Sequence, residues 1–99
     1  DLPETDERAD ILNIHLSRRN SDLSDFDIPT LVNATEGFSG AEIEQVVITT
    51  FYRALYEKRP ANTTLLVEEV KRTVPLSVSR REDIQRLRAI AQERFVGVK

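Results

Sequence analysis

The chain has 99 residues, 39% of them hydrophobic and 31% charged, with a formal net charge of −3 and no cysteine. That length holds one domain around one core, burying about 65% of the surface its unfolded form exposes, in the compositional balance of a globular domain rather than a disordered one. The missing cysteines exclude a disulfide scaffold, a cysteine zinc site and a thiol nucleophile, no apolar run approaches the roughly 20 residues of a membrane span, and net acidity argues against a coat for phosphate backbones.

Glu4 to Arg19 is predicted to be a helix. Pro3 sits at its mouth, Glu4, Asp6 and Glu7 place acids at its positive end, and Arg18 and Arg19 place bases at its negative end. Ile11, Leu12, Ile14, His15 and Leu16 form its broad apolar stripe. A polar connection, RNSDLSDFD, follows, after which Asp27 can cap a short helix through Ala34 with Pro29 in its first turn.

Ser39 opens the longest predicted helix, which runs to about Arg59 and is stopped by Pro60; the spacing of Ser39 and Glu42 is that of a capping box. Ile43, Val46, Val47, Phe51, Ala54 and Leu55 recur every three or four residues and are expected to face the core. Thr64 to Thr73 is predicted as a shorter helix with Leu66, Val67 and Val70 inward. Val74-Pro75-Leu76 reads as extended, and Ser79 with Glu82 repeats the capping box before a last helix whose inward line is Ile84, Leu87, Ala91 and Phe95. The expected fold is all-α, a small bundle of about five helices.

No G-x-x-x-x-G-K-[ST] occurs, so a complete phosphate-cradling loop is missing. One histidine on an apolar helix face makes no hydrolytic triad, and one histidine with scattered carboxylates makes no metal ligand set. The arginines at 18–19, 72, 80–81, 86 and 88 are interleaved with Glu68, Glu69, Glu82 and Asp83, the pattern of a solvated mixed face, so no direct nucleic-acid contact is expected.

The stretch GFSGAEIE, Gly37 to Glu44, is more informative. Gly37 permits a tight turn, and Phe38 can staple the helix start against Ile43 or a neighbouring helix. Gly40 gives away conformational entropy in a first helical turn. Two readings explain it: a second helix packs closely there, or Gly40 and Ala41 leave the amide end of the helix open to an anion or a flat heterocycle.

The order of these pieces resembles the small C-terminal lid domain of AAA+ ATPases. The family's lid typically starts at a Leu-Pro hinge, continues into a helix with an Arg, an Ile-Leu pair and often His-Leu, and reaches a Gly-[FY]-[ST]-Gly-Ala-[DE]-[IL] turn. Here these are Leu2-Pro3, Arg8, Ile11-Leu12, His15-Leu16 and Gly37 to Ile43, in order over about the first 60 residues. More narrowly, GFSGAEIEQVV, ALYEKR and VPLSVSRREDI are similar to the AAA proteins of the hypothetical chloroplast-reading-frame type found in cyanobacteria and plastids.

The resemblance implies a nucleotide-binding role for Ile11, His15, Gly40 and Ala41, with ATP or ADP, and its Mg, held mainly by a missing upstream α/β domain. It assigns no sensor arginine. On this reading residues 1–99 are a single lid-like domain with its C-terminal helix, a fragment of a longer ATPase, not itself an enzyme and not expected to bind nucleotide tightly alone. The implied partners are the upstream large domain and neighbouring subunits of a homo-oligomeric ring, a hexamer, with no membrane contact. The implied compartment is the cytoplasm, or the plastid stroma if plastid-encoded. The alternative is a free-standing helical adaptor that binds protein through Phe51 to Arg59 or through the last helix.

Overall fold

The computed structural model describes residues 2–19 and 22–73. Among these the chain forms four α-helices and one 3-10 turn: α1 Thr5–Arg19, the 3-10 turn Leu23–Asp25, α2 Ile28–Ala34, α3 Gly40–Glu57 and α4 Thr63–Arg72. The expected last helix lies outside the described residues. Among the described residues there is no strand, and no helix is long and apolar enough to cross a membrane.

Each helix begins at a local device. At α1 the Glu7 carboxylate accepts from the Glu4 amide at 2.9 Å, and at the far end the Arg19 guanidinium donates to the His15 carbonyl at 3.0 Å. Asp27 caps α2 by accepting from the Thr30 amide, and Asn62 caps α4 by accepting from the Leu65 amide at 3.0 Å. The Ser39 and Glu42 box is complete: Ser39 Oγ accepts from the Glu42 amide at 3.1 Å, and Glu42 Oε1 accepts from the Ser39 amide at 2.8 Å. Helix α3 ends at Lys58, in the left-handed region at φ 55°, where the Arg59 amide turns back to the Ala54 carbonyl at 3.0 Å. Pro60 therefore follows the stop rather than making it.

The core gathers Leu12 and Leu16 from α1, Phe26, Leu31 and Val32 around α2, Phe38, Ile43, Val46 and Val47 from the start of α3, and Leu66 and Val70 from α4. Helix α1 packs on α2 and α3, and α4 closes against α3 and α2. The connection expected to be merely polar carries a 3-10 turn, capped by Asp22 through the Ser24 amide and hydroxyl, and delivers the buried Phe26 against Phe51 with ring centroids 6.2 Å apart. Thr63 ties the helix starts together, its hydroxyl accepting from the Asp27 amide at 2.8 Å and donating to the Asp25 carbonyl.

Three inward assignments are corrected. Ile14 is 49% exposed, because at 3.6 residues per turn it sits about 200° around α1 from Leu12, away from the line Arg8, Leu12, Leu16. Leu55 is 78% exposed, about 140° around α3 from the buried Thr50. Leu65, not counted as inward, is fully buried beside Leu66. With Tyr52 70% and Tyr56 90% exposed, Leu55 belongs to an apolar outer face at the end of α3.

The end of α3 is fastened to α4 by charge. Arg59 forks onto Glu68 with Nη2–Oε2 at 2.9 Å and Nη1–Oε1 at 3.0 Å, and Arg53 reaches Glu57, Glu68 and Glu69. The hydrogen bonds from Arg59, more than those from Arg53, hold the Glu68 carboxyl down from 4.5 to about 2. A depressed folded-state value contributes stability that is present above about pH 4.5 and is lost as the pH falls through about 2. Acid unfolding of Glu68→Gln should therefore show a shallower loss of stability across that window than the parent chain, measured by helical ellipticity against denaturant at each pH. Equal slopes would show that the fork is screened by solvent.

Candidate functional site

Helices α1 and α3 run side by side in the same sense, so residues four apart on one meet residues four apart on the other. A methyl built on Gly40 would stand 3.5 Å from Ile11 Cδ1, and His15 Nδ1 lies 3.8 Å from Glu44 Oε2. One turn further, Arg19 and Ile48 line a common groove with Phe51, Tyr52 and Leu55. The i, i+4 spacing of Ile11 and His15 thus faces the same spacing in Gly40 and Glu44.

At the N-terminal end of this seam lies an open cleft of about 580 Å³, lined by Leu2, Pro3, Glu4, Glu7, Ile11 and Gly40. Two of the four anticipated residues, Ile11 and Gly40, share its wall with the predicted hinge. Ala41 is exposed at the first turn of α3 beside Gly40 but does not line the cleft. His15 lies one turn along α1, outside the lining, with its Nδ1 buried and without a hydrogen-bond partner among the described residues.

The chemistry of the wall is uneven. Ile11 offers an apolar surface and Gly40 an edge free of a side chain. Because the capping box occupies the Ser39 and Glu42 amides, those of Gly40 and Ala41 remain the open donors of the first turn. Glu4 and Glu7 add two acidic residues to the lining. Carboxylates there repel phosphate and accept hydrogen bonds from hydroxyl or amine groups. Among the described residues no group of three histidine or carboxylate side chains is placed to hold a metal.

Gly40 is not required by its own backbone, since the positive-φ glycine of the turn is Gly37, at φ 87°. Nor do neighbours require it, because 3.5 Å is ordinary van der Waals contact for an added methyl. Close helix packing, one of the two readings of this glycine, is thereby weakened.

Two contributors escaped the sequence reading. Glu44, on another helix, sets its carboxylate 3.8 Å from His15 Nδ1, and only the matched four-residue spacing on the two helices could have suggested it. Arg8, noted solely as part of the family pattern, is buried, its Nε donating to the Val32 carbonyl and its Nη1 to the Pro3 carbonyl, each at 3.1 Å. It ties the segment ahead of α1 to the body of the bundle.

Residues 25–69 match the AAA+ lid domain family. An uncharacterized AAA domain-containing protein ycf46 from Gracilaria tenuistipitata var. liui is 42% identical over 77 residues, 77% of this chain and 16% of the relative. Its namesake from Pyropia yezoensis is 38% identical over 92 residues, 92% of this chain and 19% of the relative. That from Trieres chinensis is 37% identical over 78 residues, 78% of this chain and 16% of the relative. The chain therefore spans less than a fifth of the length of these relatives, and no solved structure matches it significantly. Matched by the lid family through its packed helices and by ycf46-type AAA proteins over most of its length, the chain belongs to the AAA+ lid domain family.

Proposed function

We propose that residues 1–99 are the lid of an AAA+ ATPase, closing over the base and sugar end of a nucleotide whose phosphates and Mg are held by an upstream α/β domain. The chain itself carries no phosphate-binding loop, so hydrolysis belongs to that upstream domain. Ile11 supplies an apolar wall, Gly40 and Ala41 a close approach for the heterocycle, and His15 a polar group one turn further on. The lid pivots at residues 1–4 and passes rigid-body motion to the next subunit of a homo-oligomeric ring, taken as a hexamer. The setting is the cytoplasm, or the plastid stroma for a plastid-borne gene.

The observation that carries this reading is a glycine the fold does not need, placed on the wall of the cleft. Gly40→Ala should leave unfolding unchanged or slightly later, because alanine is the better helix former. In the full-length ATPase it should weaken ADP binding about tenfold, or about 1.4 kcal/mol. Calorimetric titration of both forms measures it, and an unaltered affinity would remove the lid's contact with the nucleotide.

A second reading has an observation of its own. Tyr52, Leu55 and Tyr56 are exposed together within the stretch expected to bind protein in a free-standing adaptor. The coding sequence ahead of Asp1 separates the two readings: a G-x-x-x-x-G-K-[ST] motif followed by an apolar run ending in acids favours the ATPase.

A further inference from the structure

His15 is the chain's single histidine, and its imidazole lies in the α1/α3 seam with 14% of the side chain exposed. Nδ1 is buried and has no hydrogen-bond partner among the described residues, a state that costs free energy unless a partner comes within reach. The nearby Glu44 Oε2, at 3.8 Å, is just beyond hydrogen-bonding distance, on a side chain 44% exposed. Among the described residues, Glu44 is the one whose carboxylate the structure sets within 4 Å of Nδ1.

We infer that Glu44 is a positioning residue for His15. It accepts a hydrogen bond from Nδ1–H, holds the neutral ring in the Nδ1-protonated tautomer and leaves Nε2 unprotonated. Nε2, which is not among the buried orphan atoms, then serves as an acceptor on the outer side of the seam. The inference deepens the lid reading and rests on it for the ligand's identity. An acceptor at Nε2 selects a donor, a ribose hydroxyl or an exocyclic amine, and rejects a phosphate oxygen. His15 stands one turn along α1 from Ile11, which lines the cleft together with Glu4 and Glu7.

Because there is one histidine, its ring nitrogens are readable without mutational assignment. The experiment is a two-bond ¹H–¹⁵N correlation spectrum of the 99-residue chain at about pH 8, above the ordinary imidazole range. The expected result is a protonated Nδ1 and an unprotonated Nε2, inverted toward the Nε2–H form in Glu44→Ala. An Nε2–H ring in the unmodified chain overturns the assignment. So does an unmoved tautomer in Glu44→Ala, and so does loss of the folded amide spectrum in that variant, which would make Glu44 structural. Adding ADP separates the two readings. A tautomer that behaves as expected with an Nε2 resonance unmoved by millimolar ADP counts against the lid reading and leaves the Glu44 role standing.

Discussion

Replacing Leu12 with alanine should destabilise the fold by about 2–5 kcal/mol, the range for truncating a fully buried leucine whose surroundings collapse only partly. Leu12 has no exposed surface and stands in α1 between Arg8 and Leu16, where α1 meets α2 and α3. Since small domains are stabilised by about 5–15 kcal/mol in all, the upper end of that loss is enough to unfold a weak one. The same truncation at Leu55, which carries the same apolar pattern in the sequence, should stay within about 0.5 kcal/mol because its side chain is already in solvent. Urea midpoints of the two variants test the pair. Equal losses would mean that the end of α3 is covered in solution.

Arg8→Met should cost about 1–3 kcal/mol, the loss of two hydrogen bonds from a buried guanidinium at about 0.5–1.5 kcal/mol each. The Val32 carbonyl keeps the Thr35 hydroxyl at 3.2 Å, so the loss falls mainly on the Pro3 carbonyl, which among the described residues is bonded by Arg8. Arg8→Lys should not rescue it, because one ammonium cannot span two carbonyls that the guanidinium reaches from Nε and Nη1. The local signature is faster hydrogen exchange at the Glu4 amide, next to the released Pro3 carbonyl. A stability loss without that local change would mean that Arg8 holds the bundle and not the segment at Pro3.

The helix starts were legible in the sequence because a cap is a contact within four residues. Ser39 with Glu42 and Asp27 with the Thr30 amide need nothing from the rest of the molecule, and the structure has both. Gly37 was legible for the same reason, its left-handed φ being a property of one residue in one turn. The end of α3 was less so: Pro60 advertised a stop, but a left-handed Lys58, rare for a side-chain-bearing residue, made it.

What the sequence alone determined is therefore local or compositional: four of the helices and their order, the capping box, the turn, and the family those motifs mark. Tertiary structure decided which apolar residues are inside. Leu55 and Ile14 satisfied the periodic pattern and lost their places, while Leu65 gained one, because burial depends on where the neighbouring helices stand around the axis. It also decided the site. Arg8 finds its carbonyls 5 and 24 residues away, and His15 meets Glu44 only because α1 and α3 lie side by side in the same sense. No propensity or spacing within one helix carries that information, since the register between two helices is set by how their side chains interlock.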